Sequence, residues 1–113
     1  MAARLRSDIW VSAYIRRCAV AGVMAVLRRR GAAEAGAIFI TIDRLDGRAS
    51  LYGPAPPDMA NGEPDGRQFE PILLEAETVT VEERMARELR FDTDLWWVEL
   101  EDREGRSFLD LDA

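Results

Sequence analysis

Two adjacent tryptophans, Trp96 and Trp97, constrain what this chain can fold into more than any other feature. They sit in Leu95–Glu101, a run whose apolar and aromatic residues alternate with period two, as in a β-strand. Successive strand side chains point to opposite faces, so the two indoles cannot enter one core together. Either a second element covers the Trp97 face, or Trp97 is partly exposed as an aromatic platform of the kind enriched at interface centres. A slip of one residue in register exchanges their roles.

The residues that follow suggest that this strand is half of a hairpin. Asp102-Arg103-Glu104-Gly105 fits a type I turn, with Asp first and Gly fourth. Folding back there sets Leu100 opposite Phe108 and Glu99 opposite Leu109. Trp96, Val98, Leu100 and Phe108 then share the core face. Trp97, Glu99, Glu101, Leu109 and Leu111 share the other face, an aromatic and aliphatic patch with two carboxylates at its rim.

Composition narrows the chemistry. The 113 residues suffice for one domain, 1–113, and no apolar run approaches the length of a membrane span. Asp8, Arg16 and Arg17 interrupt the first apolar stretch, so no secretory leader is read there, and a cytoplasmic protein is the expectation. The single cysteine, Cys18, has no disulfide partner in the chain, which fits a reducing compartment. Histidine and lysine are both absent, and all fifteen basic residues are arginine. The commonest general base, Schiff-base chemistry and the lysine of a phosphate loop are therefore unavailable. No glycine-rich phosphate loop or nucleophile elbow occurs, and no cofactor is expected.

Read from the N-terminus, Ser7 is the expected cap of a first helix. Its apolar arc comprises Trp10, Val11, Tyr14, Ile15, Cys18 and Ala21. Gly22 ends it as a left-handed cap, although a helix running on to Arg30 is the rival parse. Strands are expected at 23–29, 36–43 and 49–53, the last two joined by a turn at Asp46-Gly47. Residues 54–66 hold four of the five prolines and read as a flexible Pro/Gly loop. A further strand is expected from about Gln68 to Glu75. Thr80-Val-Glu-Glu83 is a capping box that opens a second helix with Val81, Met85 and Leu89 as its stripe.

Charge is uneven along the chain. Residues 1–48 carry nine arginines against four carboxylates, +5, and residues 49–113 carry six against seventeen, −11. The split fits two halves of one fold neutralising each other. It also admits a phosphate-binding surface at Arg16, Arg17 and Arg28–Arg29–Arg30, although no aromatic is interleaved there for base stacking. Glu99 and Glu101 lie two apart on one strand face, a spacing that can hold a hydrated divalent ion, but exposed carboxylate pairs are usually only solvated. Asp92-x-Asp94 begins like a calcium loop and lacks the later Gly and Glu.

Four stretches, Ile9–Cys18, Gly31–Ile38, Leu51-Tyr-Gly-Pro54 and the Asp-x-Asp-Leu-Trp…Glu-x-Glu-Asp-Arg-Glu-Gly-Arg pattern at 92–106, resemble a bacterial family catalogued as domain of unknown function 1491. The resemblance implies a small single-domain protein of a kind found chiefly in alphaproteobacteria. It implies no activity, cofactor or catalytic residue.

These readings converge on an α+β domain: an antiparallel sheet of about five or six strands, an N-terminal helix and a second helix near 80–91. The leading functional expectation is a non-enzymatic protein-binding or self-assembly module, possible homodimer included. Trp97, Leu109 and Leu111 would touch the partner, with Glu99 and Glu101 at the rim. The alternative is nucleic-acid or nucleotide binding through the five arginines. The third is a divalent-metal hydrolase using carboxylates.

Overall fold

The computed structural model describes residues 5–56 and 67–109. Helix α1 spans Ser7–Val20 and buries Trp10, Val11, Tyr14 and Cys18. It stops at Ala21, and Gly22 takes a φ of 79° that costs glycine little. The early stop expected at Gly22 is thus the one observed. Ser7 is not the cap, however: Arg6 holds that position without a side-chain bond. The first amides of the helix donate instead to loop carbonyls, Ser7 N to Glu34 O at 3.1 Å and Asp8 N to Ala33 O at 3.0 Å. With those donors satisfied, the Ser7 hydroxyl is free to donate to Gly36 O at 2.7 Å, and it accepts from Arg67 Nη2 at 2.8 Å.

Among the described residues five strands follow: β1 Met24–Arg29, β2 Ile38–Asp43, β3 Arg48–Pro54, β4 Phe69–Glu77 and, after helix α2 (Thr78–Phe91), β5 Trp96–Glu101. Their order in the sheet is β1-β5-β2-β3-β4. Three of the pairings are antiparallel, and β2 with β5 is parallel, Ile38 opposite Trp96 and Asp43 opposite Glu101. The sheet is therefore mixed rather than wholly antiparallel. A parallel pair needs a long crossover, and the segment β3-β4-α2 supplies it. The Pro/Gly loop expected at 54–66 begins where β3 ends, and positions 57–66 lie outside the described residues.

The expected hairpin does not form. The turn itself is present, with Gly105 N donating to Asp102 O at 2.9 Å and Gly105 at φ 72°. Residues 105–109 are not a strand, and Phe108 has a φ of 57°. The reason lies in the sheet order: β5 is flanked by β1 and β2, so neither of its hydrogen-bonding edges remains for a returning strand. The tail crosses α1 instead, where the Tyr14 hydroxyl donates to Ser107 O and Arg17 Nη1 donates to Phe108 O at 3.0 Å.

Each sheet face has its own core. On one face α1 packs Trp10, Tyr14 and Cys18 against Ile38, Ile40, Trp96, Val98 and Leu100. On the other, Phe39, Leu51, Leu95 and Trp97 pack under Val81 and Met85 of α2. Helix α2 begins at Thr78, directly after β4, so the capping box at Thr80 lies inside it. Its first amide is satisfied by Gly47 O at 3.1 Å.

Candidate functional site

The adjacent tryptophans resolve as one per core. Trp96 is 1% exposed and donates from Nε1 to Ala32 O at 2.8 Å. Trp97 is only 6% exposed, and its Nε1 donates to Thr41 Oγ1 at 2.8 Å. The Trp97 face is thus covered by α2 and is not a free platform. Leu109 packs on the opposite core, beside α1, because the tail crosses that helix. Leu111 lies outside the described residues. The group Trp97, Leu109 and Leu111 expected to share one surface is therefore not brought together.

What meets Trp97 from outside is Arg28. Its guanidinium carbon stands 3.7 Å from the ring centroid, a cation–π stack. Nη1 also donates to Glu82 Oε2 at 2.6 Å and to Glu99 Oε1 at 2.8 Å. Hydrogen bonding to Glu82, and then to Glu99, raises the Arg28 pKa above its ordinary value. Around this cluster is a cavity of about 90 Å³ lined by Arg28, Thr41, Asp43, Glu82 and Glu99 among others. Drug-sized ligands need several hundred Å³, so the cavity is too small to take a typical organic substrate. Glu99 is occupied by Arg28, whereas Glu101 is exposed at the end of β5. Among the described residues no three potential metal-ligating side chains converge.

The other arginines are dispersed rather than gathered. Arg17 is bound to the tail carbonyl, and Arg29 Nη2 donates to Thr93 O at 2.8 Å. Arg30 stands 5.1 Å over the ring of Trp96. Arg16 is exposed on α1. Arg16 and Arg30 line one groove of about 410 Å³, together with Ile9, Ile15, Leu27 and Trp96. On its far flank α1 reaches β4 through Trp10 and Phe69, with ring centroids 5.0 Å apart. The groove flank is therefore the one turned toward β1.

Among the described residues strand β1 is an edge of the sheet, and its outer backbone groups have no strand partner. It exposes Met24 to 64%, Val26 to 46% and Leu27 to 40%, an unusual display on an open edge. The opposite edge, β4, carries Pro71 and two register shifts, devices that discourage pairing, against a single register shift between Leu27 and Arg29 in β1. The sequence marks Val23–Arg29 as a strand and its arginines as basic, but it does not reveal Met24, Val26 and Leu27 as a surface. Which strand ends at an edge depends on pairings with residues far away in the chain.

Nucleophilic chemistry finds little support. Burial pushes the Cys18 thiol up and, more strongly, the Tyr14 phenol. Both sit in the α1 core at 0% exposure.

The family model for proteins of unknown function DUF1491 matches residues 5–110. Among solved structures, the chain is similar to a DUF1491 family protein from Caulobacter crescentus CB15 seen in a crystal, with 37% identity over 95% of this chain and 96% of that one, at a TM-score of 0.80. It is likewise similar to the solution structure of protein Atu0922 from A. tumefaciens, with 46% identity over 87% and 86% of the two chains and a TM-score of 0.76. An NMR structure of a C. crescentus DUF1491 family protein matches at 35% identity over 96% and 97%, with a TM-score of 0.77. Among curated proteins none matches.

Proposed function

This chain belongs to the DUF1491 family, and we propose that it works as a non-enzymatic protein-binding module that takes an extended segment of another chain by strand addition at β1. The observation that carries this reading is the exposure of Met24, Val26 and Leu27 along a sheet edge that no described strand pairs with. Six residues of β1 offer about 20 Å of edge. Strand addition draws its affinity from main-chain hydrogen bonds and its specificity from alternate side chains. Met24 and Val26 lie on the α2 side of the sheet with their partners Glu101 and Glu99, and Leu27 lies on the α1 side with Val98. An added strand would therefore find apolar contact on both faces.

The test is peptide-library selection against the protein, followed by NMR mapping of the peptides obtained. The expected result is amide shifts concentrated at 24–29, lost in a Met24→Lys/Val26→Lys variant. Failure to select any peptide, or shifts concentrated elsewhere, would overturn the proposal.

A further inference from the structure

We infer that the segment received at β1 is an acidic–apolar peptide: an apolar side chain rests against Leu27 and Ile9 while a carboxylate two residues away meets Arg30 or Arg16. This rests on the strand-addition reading and adds the chemistry of the partner. A strand laid outside β1 sends every second side chain toward α1, and on that side lies the groove of about 410 Å³. Its walls include Ile9, 50% exposed, and Leu27, 40% exposed, which suit an aliphatic side chain.

Three charges line the groove, Arg16, Arg30 and Asp8. Asp8 is already bound by Arg6, with Nε to Oδ1 at 3.2 Å and Nη2 to Oδ2 at 3.2 Å. Hydrogen bonding to Arg6 is the main cause that lowers the Asp8 pKa, with Arg30 acting on it electrostatically as a lesser cause. Among the described residues Arg16 and Arg30 have no ion pair, whereas Arg6, Arg28, Arg84 and Arg106 each hold a carboxylate. Two cations beside an apolar wall recognise a carboxylate spaced from an aliphatic group. Residues two apart on a strand are about 6.6 Å apart, a spacing that lets the two side chains share one groove.

A second copy of β1 fits this edge less well. Residues 23–30 contain no carboxylate, so a second β1 would bring Arg16 and Arg30 no counter-charge. A nucleic acid also fits poorly, because the one ring in the groove, Trp96, is 1% exposed and offers no stacking face.

The experiment uses three synthetic peptides of about eight residues, repeating Thr-Leu-Thr-Glu, Thr-Leu-Thr-Gln or Thr-Leu-Thr-Lys, and a short single-stranded oligonucleotide, each titrated into the 113-residue protein by NMR. The acidic peptide is expected to bind about three- to tenfold tighter than its Gln counterpart, the scale of one or two partly exposed ion pairs, and the Lys peptide is expected to bind weakest. The preference should shrink at about 0.5 M salt and in Arg16→Gln. It should vanish in Arg16→Gln/Arg30→Gln. Arg16 is exposed and its replacement leaves the core intact, so that single variant remains informative if the Arg30 stack on Trp96 proves necessary for folding. Equal binding of the Glu and Gln peptides at 24–29 would overturn this inference and leave strand addition standing. No peptide binding at β1 would overturn both. Oligonucleotide shifts at Arg16 and Arg30, without shifts from the acidic peptide, would replace the acidic peptide with a nucleic acid.

Discussion

At the level of single residues, Trp97 shows how an interface candidate becomes a core residue. The sequence requires the second indole to lie on the opposite face from Trp96, and that requirement holds. Whether the second face is covered is decided by α2, the element immediately before β5, which folds back to set Val81 and Met85 over it. Trp97→Ala should therefore cost about 3–5 kcal/mol in denaturant unfolding, a large fraction of the stability of a domain this size. A loss below about 1 kcal/mol would contradict the burial. Arg28→Met, which removes a cation–π stack and a partly exposed ion-pair set, should cost only about 1 kcal/mol in the same experiment. Asp102 makes a different prediction. It accepts from Arg106 Nε at 3.0 Å, from Nη2 at 2.9 Å and from the backbone N at 2.7 Å. The Arg106 hydrogen bonds are the main reason its carboxyl titrates below the usual range. A lowered folded-state pKa means stability that is present above the unfolded value near 4 and is lost as pH falls through the folded value. Asp102→Asn should thus be less stable than the parent at pH 7, with the gap closing in acid. A gap independent of pH would sink that account.

Among the elements, both helices and the five strands are legible from local pattern, since periodicity and the stops at Gly22 and Pro54 are local properties. Pairing is not. The turn at 102–105 forms as its residues dictate, yet the strand after it is missing because β1 and β2 already occupy both sides of β5. The same placement explains the misassignment of Leu109 to the Trp97 face. The cap at Ser7 fails because its hydroxyl is engaged by Gly36 O and Arg67, remote in sequence, while Ile9 N donates to Asp8 Oδ1 and Trp10 N to Arg6 O. The cap at Thr80 fails because the helix already begins at Thr78, where Gly47 O accepts from the first amide. The open edge at β1 gives the element-scale prediction. Met24→Lys/Val26→Lys places charge on exposed positions, so unfolding free energy should change by no more than about 0.5 kcal/mol. A large loss of stability would mean that these side chains are already buried in solution.

Across the whole molecule, the basic and acidic halves are interleaved rather than set apart. Strand β1 of the basic half lies beside β5 of the acidic half, and Arg28 is held by Glu82 and Glu99. Neutralisation between halves, one of the two readings of the charge split, has this direct counterpart in the structure. Both faces of the sheet are covered, each by one helix, and among the described residues no helix is long and apolar enough to cross a membrane.

The parallel seam between β2 and β5 also bears on how the chain reaches its native state. Each of its residue pairs joins positions separated by half the chain, so loop closure must be completed before the central ladder contributes anything. During synthesis β2 emerges long before β5. Until then Ile38, Phe39, Ile40 and Ile42, all buried in the finished fold, lack the strand that covers one of their edges. The nascent chain therefore passes through a period in which its most apolar strand is open to wrong partners, and folding can be completed only after β5 has been made.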